Sequence, residues 1–238
     1  MFYFFYDFSL IILIPGILLA IFASTYVNST YNKYNKVSSK SFYTGYDTAR
    51  KILSNNGCNG VVITKTSGNL TDNYNPTNKT LSLSQSTFNS TSVASIGVAA
   101  HECGHAMQDN ENYLPLLLRK ILVPVTRIGS YLALPLAIIG IIIEWLGSTE
   151  VGGLVLAIGV FAYSLTAIFS LITLPVELNA SRRAKKALVV EGILDSQEVD
   201  MAGKVLNAAA LTYVANLAVS LLYLLRFMLI ISRFRRRN

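Results

Sequence analysis

Histidine, cysteine and charged side chains are all scarce in this chain of 238 residues, which contains two histidines, two cysteines and 14% charged residues. Soluble domains carry roughly a quarter charged residues, so the composition excludes an ordinary soluble protein. Two cysteines cannot form the disulfide framework that holds many small secreted domains together. Two histidines supply at most two imidazole ligands, which excludes a metal site built from three histidines.

Hydrophobic residues make up 52% of the chain and occur in long blocks, which indicates a membrane protein. A helix that crosses the hydrocarbon core of a bilayer needs about 20 apolar residues. Four segments approach this length, at about residues 8–26, 128–145, 154–174 and 208–231. The predicted fold is a mainly α polytopic membrane protein with about four transmembrane helices and a small α+β portion. We expect one domain over residues 1–238, with extramembrane regions at about 28–127 and 176–207.

The formal net charge of +7 comes largely from basic residues beside the apolar segments. Anionic lipid headgroups are the expected partner, because they attract Lys and Arg side chains next to a membrane span. Nucleic acid is not expected, since no aromatic residues interleave with a basic stripe as single-strand binders require. The basic clusters are Arg119–Lys120, Arg127, Arg182–Arg183, Lys185–Lys186 and the residues from Arg233 to Arg237.

Both histidines lie in one HExxH motif, in which Glu102 directly follows His101 and His105 comes four residues after it. Two imidazoles at this spacing share one face of a helix and can bind a single zinc ion. A glutamate next to the first ligand is placed to deprotonate a zinc-activated water. The motif therefore predicts a zinc hydrolase, most commonly a peptidase, with a protein or peptide as substrate.

The motif is expected on a helix from Val93 to Gln108, with Ser92 as its N-cap. Strand-like segments precede it at residues 61–63 and 80–84, on either side of a turn cluster at residues 72–78. After the third span, Pro175 is expected to begin a new helix.

A catalytic zinc ion needs three protein ligands and an open position for water. Cys103 points away from the face that the two histidines share, and Cys58 lies in a Gly-Asn loop, so a carboxylate is the expected third ligand. Asp47 and Asp72 stay open as alternatives. The carboxylates that lie at membrane edges or close to the histidines along the helix are poorly placed: Asp7, Asp109, Glu111, Glu144 and Glu150.

Glu177 is the strongest candidate for the third ligand. It stands just after the third predicted span. The chain crosses the membrane twice between the motif and this residue, so both lie on the same side. Glu150, in the short loop between the second and third spans, lies on the opposite side. The sequence thus predicts a site that joins His101 and His105 to Glu177.

Three segments together resemble the YugP-type neutral zinc metallopeptidases of bacterial membranes: residues 98–108 around the motif, 74–79 upstream and 175–183 downstream. The wider relatives of that family are gluzincins, including membrane proteases of the HtpX and CAAX prenyl protease type. The resemblance implies a zincin-like catalytic portion that binds one Zn²⁺ through His101, His105 and Glu177, with Glu102 as general base. It also implies a bacterial cell membrane as the location.

The chain departs from this family pattern beside the third ligand. Asn179 stands where an acidic residue is expected in relatives, and Ser181 stands where HtpX-type enzymes have aspartate. A carboxylate at such a position would orient a ligand histidine, so Asn179 and Ser181 are candidates for the shell around the metal ligands. Arg182 is a further candidate, as an oxyanion-stabilising group or as a lipid-facing residue.

Basic residues on the side of the motif outnumber those on the other side, which the positive-inside rule associates with a cytoplasmic active site. The Arg-rich C-terminus argues for the reverse. Two other functions compete with the peptidase. In a non-catalytic membrane protein the same residues would form a structural zinc site, although such a site needs no base at Glu102. A transporter is disfavoured because ionisable residues are scarce within the spans.

Overall fold

The computed structural model describes residues 8–235, and Asp7, Arg236 and Arg237 lie outside them. The chain is mainly α-helical and carries one small sheet, as predicted. After a 3-10 turn at Phe8–Leu13, the helices are α1 (Ile14–Tyr34), α2 (Gly45–Asn55), α3 (Gln85–Phe88), α4 (Val93–Asn110), α5 (Leu114–Trp145), α6 (Thr149–Val190) and α7 (Ser196–Arg235). The strands are β1 (Val62–Thr66), β2 (Asn73–Asn75) and β3 (Thr80–Ser84).

The four predicted spans are confirmed. Among residues 8–235, four helical stretches are long and apolar enough to cross a membrane, by length and composition: Leu10–Tyr34, Leu114–Trp145, Thr149–Val190 and Ser196–Leu229. They extend beyond the predicted spans into polar sequence. Pro175 does not begin a helix, because α6 runs straight through it. A proline inside a helix removes one backbone hydrogen bond, and the bonds on either side continue the helix here.

The described residues form two compact units. The first contains residues 8–22, 118–174 and 213–235. Within it, α5 and α6 pack closely through small residues. A Cβ added at Gly129 would lie 2.8 Å from the carbonyl oxygen of Ala162, and one at Gly159 would lie 3.3 Å from that of Ala133. Small residues allow the backbones of apolar helices to approach each other, which is a common basis of helix association in membranes.

The second unit contains Ala23–Leu117 and Pro175–Thr212, so it includes the motif helix α4 and the part of α6 that carries Glu177. Its sheet has the order β1-β3-β2, with β1 parallel and β2 antiparallel to β3. Leu81 and Leu83 of β3 are fully buried in the core of this unit. Helix α4 begins where predicted, and the Ser92 side chain accepts a hydrogen bond from the backbone N–H of Ser95.

Strand β2 lies inside the segment that was predicted as a turn cluster. The carboxylate of Asp72 accepts hydrogen bonds from the backbone N–H of Ser84, at 2.7 Å, and from the hydroxyls of Ser84 and Thr87. These contacts hold the start of β2 beside the end of β3, and Tyr74 then pairs with Leu81. The Asp72 contacts that anchor this strand reach residues more than ten positions away, which local turn propensity does not report.

Helices α4 and α6 lie close together where Gly104 meets Ala180. A Cβ added at Gly104 would lie only 2.5 Å from the carbonyl oxygen of Ala180. Small buried side chains lie near this contact on both helices, with Ala100 on α4 and Ala184 on α6. A glycine between the two histidines is therefore what lets α6 lie directly against the motif.

We predict that Gly104→Ala destabilises the protein. The added methyl group must push α6 away from α4, and overpacking of a close-packed interior costs about 1–3 kcal/mol. For a chain of this size that corresponds to a fall in Tm of roughly 2–12 °C in a thermal melt of the detergent-purified protein. The control is Gly60→Ala, since nothing lies within 4 Å of a Cβ at Gly60. Equal Tm values for the two variants would contradict the packing described here.

Candidate metal centre

The two histidines of α4 stand one helical turn apart and turn their rings toward α6. The ring centroids of His101 and His105 are 4.8 Å apart, with the rings nearly perpendicular. His105 is buried and His101 is partly buried. Because the residues around the motif are small, α6 can pack closely against this side of α4.

Glu177 projects from α6 between the two imidazoles and is 1% exposed. Its Oε2 atom lies 3.2 Å from Nε2 of His101 and 3.4 Å from Nε2 of His105. Among the described residues, these three form the group whose ligand atoms all lie within 4.8 Å of one another. The structure thus brings together the two motif histidines and the carboxylate that the sequence predicts as the third ligand.

The donor set fits a zinc ion. Two imidazole nitrogens and one carboxylate oxygen are the ligands of a common class of catalytic zinc site. Ligand atoms at zinc's usual distances of about 2.0–2.1 Å in tetrahedral geometry are separated by about 3.3 Å. Both contacts from Nε2 to Glu177 Oε2, at 3.2 and 3.4 Å, have this separation.

Glu102 is buried beside this group, and its pKa is raised to about 7. The main cause is removal of the carboxyl from water. The charge of His101 and a hydrogen bond with the Tyr74 backbone lower the pKa, while the carboxylates of Glu177 and Asp72 raise it. A carboxyl with a pKa near neutrality can both accept and return a proton at working pH. Tyr74 belongs to β2, so the small sheet reaches the motif.

The Nδ1 atoms of both histidines also have partners. Nδ1 of His101 lies 3.1 Å from Oγ of Ser181, and Nδ1 of His105 lies 3.0 Å from Oε1 of Gln108. Asn179 contacts neither histidine directly, but its Oδ1 accepts a hydrogen bond from Gln108. Arg182 is exposed on α6. Sequence reasoning missed Gln108, although its position three residues after His105 places it on the same face of α4.

The other carboxylates considered from the sequence have different partners. Asp47 caps α2, where its side chain and that of Thr44 form a capping box. Asp72 anchors the start of β2, and Asp109 accepts a hydrogen bond of 2.9 Å from the Tyr74 hydroxyl. Glu111 pairs with Arg183 through two hydrogen bonds. None of the four belongs to the group around the histidines.

Comparison with known proteins identifies the family of this chain. A family model described as "Putative neutral zinc metallopeptidase" matches residues 9–232. The chain is also 44% identical over 220 residues to a Bacillus subtilis (strain 168) protein named "Putative membrane protease YugP", which covers 92% of this chain and 95% of that relative. No solved structure matches the chain. The chain therefore belongs to the family of neutral zinc metallopeptidases that this model describes.

Proposed function

We propose that this protein is a membrane zinc metallopeptidase that hydrolyses peptide bonds in protein or peptide substrates. In this proposal, the whole chain acts as one metallopeptidase domain, and His101, His105 and Glu177 hold one Zn²⁺. The observation that carries the proposal is the convergence of both Nε2 atoms on the Glu177 carboxylate, next to the buried Glu102. Family membership and the 44% identical membrane protease relative support it.

Glu102 is proposed as the general base. When bound, zinc would supply Lewis acidity that acidifies water and polarises the scissile carbonyl. Glu102 accepts a proton from the attacking water as the new bond from oxygen to carbon forms. It then donates that proton to the amine that leaves when the bond from carbon to nitrogen breaks. Its raised pKa of about 7 suits a group that must take and return one proton.

We propose a bacterial cell membrane as the location, with the active site on the cytoplasmic side. The basis is the excess of Lys and Arg in the two segments that supply the site, as the positive-inside rule requires. Exposed Arg182 is assigned to anionic lipid headgroups rather than to the reaction.

Glu102→Gln is expected to abolish hydrolysis and to keep zinc. The amide preserves the shape of the side chain but cannot accept the proton, and loss of a general base typically lowers the rate about 10²- to 10⁴-fold. Cleavage of a fluorescence-quenched peptide library and zinc content by elemental analysis are measured on the detergent-purified protein.

The matched control for this variant is Glu150→Gln, which changes an exposed carboxylate of α6 far along the chain from Glu177. Wild-type rates in Glu102→Gln would rule out the assigned base. Wild-type protein that holds zinc and cleaves nothing in the library would instead support a structural zinc site.

The proposed orientation predicts that the C-terminus lies outside the cytoplasm, because one further span separates it from the 175–212 segment. An alkaline phosphatase fused after Asn238 should be active, and a green fluorescent protein fused there should stay dark. The opposite pair of results would place the active site on the outer face of the membrane.

A further inference from the structure

Gln108 connects the motif helix to α6 and lies wholly inside the protein, with 0% exposure. Its Oε1 lies 3.0 Å from Nδ1 of His105. Its Nε2 donates one hydrogen bond of 2.8 Å to the carbonyl oxygen of Val176 and one of 2.9 Å to Oδ1 of Asn179. All the polar atoms of this buried amide therefore have a partner, which is what a buried polar side chain needs.

Two neighbouring groups that can only accept or only donate hydrogen bonds determine the orientation of the Gln108 amide. The carbonyl of Val176 can only accept, so Gln108 must present its NH₂ group to it. Arg183 can only donate, and its Nε lies 2.8 Å from Oδ1 of Asn179, so Asn179 must present its oxygen on that side. The same oxygen accepts the second N–H of Gln108. The Oε1 atom of Gln108 is left to face His105.

The proton position on His105 follows from this orientation. Oε1 of Gln108 is an acceptor, so Nδ1 of His105 must carry the N–H. In the neutral ring Nε2 then keeps its lone pair and faces Oε2 of Glu177 at 3.4 Å. A proton or a metal cation has to lie between two acceptors at this distance, and a metal ligand histidine needs this tautomer when Nε2 is the coordinating atom.

Arg183 holds the outer end of this network in place. Its guanidinium forms two hydrogen bonds with Glu111, at 2.6 and 2.7 Å. Glu111 is 57% exposed at its side chain, whereas Arg183 is 20% exposed. A chain of directed hydrogen bonds thus runs from the protein surface at Glu111 to His105. His101 differs, because the hydroxyl of Ser181 can either donate or accept and imposes no tautomer.

We propose that Gln108 is a positioning residue that holds His105 in the Nδ1–H tautomer, and that Asn179 and Arg183 orient Gln108. This inference rests on the metal site of the proposed function. Outer-shell partners of this kind typically contribute about 10- to 100-fold to metal affinity. In this chain two neutral amide side chains, Gln108 and Asn179, orient the ligand histidine, as a carboxylate does in many zinc sites.

Zinc affinity of the full-length protein, measured by competition with a chromophoric chelator, tests the proposal. Gln108→Met keeps the length of the side chain and removes its hydrogen bonds, so it should bind zinc about 10- to 100-fold more weakly. Asn179→Asp still accepts from both Gln108 and Arg183, so it should bind zinc more tightly than Asn179→Leu. Asn179→Leu accepts from neither and should bind more weakly. Gln197→Met, at an exposed glutamine, is the control.

Nitrogen-15 NMR of the histidine-labelled full-length protein without metal shows which ring nitrogen carries the proton. If Gln108 only helped the protein to fold, its replacement would leave this proton position unchanged. The chain contains only two histidines, so each ring gives its own pair of nitrogen signals. With both rings neutral, His105 of wild type should show a protonated Nδ1. Gln108→Met should shift the proton toward Nε2, and Gln197→Met should leave it unchanged.

The outcomes separate this inference from the proposed function. Wild type that binds no zinc contradicts the proposed function. Zinc binding by wild type, with unchanged affinity and tautomer in Gln108→Met, contradicts only the positioning role. If Gln108→Met does not fold, the zinc affinities of the two Asn179 variants test the proposal. Equal affinities of Asn179→Asp and Asn179→Leu would overturn it.

Discussion

The close approach of α4 and α6 at Gly104 is the constraint on which the candidate site depends. Gly104 lies between the two histidines, and a Cβ there would meet the carbonyl of Ala180 at 2.5 Å. Glu177 lies one turn before Ala180, so the same contact places its carboxylate between the two imidazoles. A wider separation of the helices would move Glu177 away from both Nε2 atoms. The candidate metal ligands, the packing of the two helices and the hydrogen bonds of Gln108 thus share one helix interface.

Neutral side chains around the candidate metal ligands suit a site that already buries two carboxyl groups. Glu102 and Glu177 are close enough that the charge of Glu177 raises the pKa of Glu102. A further carboxylate next to His105 would add another like charge in a region from which water is largely excluded. The amide of Gln108 accepts from His105 without adding charge, and its own N–H groups are satisfied by α6. The amide thereby avoids much of the desolvation cost of a buried ion.

Sequence reasoning was most successful where local pattern and composition determine the structure. Apolar blocks predicted the four spans, and the Ser92 cap and the motif spacing predicted α4. The scarcity of histidine directed attention to a carboxylate, and the structure places Glu177 beside both rings. Strand β2 was not predicted, because Asp72 holds it through contacts with distant residues. Gln108 was missed for the same reason, since its spacing from His105 is visible in the sequence but its partners on α6 are not.

The central claim is that a carboxylate from α6 completes a zinc site begun by two histidines on α4. Zinc content of Glu177→Ala tests it most directly, with Glu150→Ala, an exposed carboxylate on the same helix, as the reference. Outer-shell changes already weaken metal binding about 10- to 100-fold, so loss of a direct ligand should weaken it more than about 100-fold. The account predicts that Glu177→Ala loses its zinc during purification while Glu150→Ala retains it. Equal zinc content in the two variants would contradict the account.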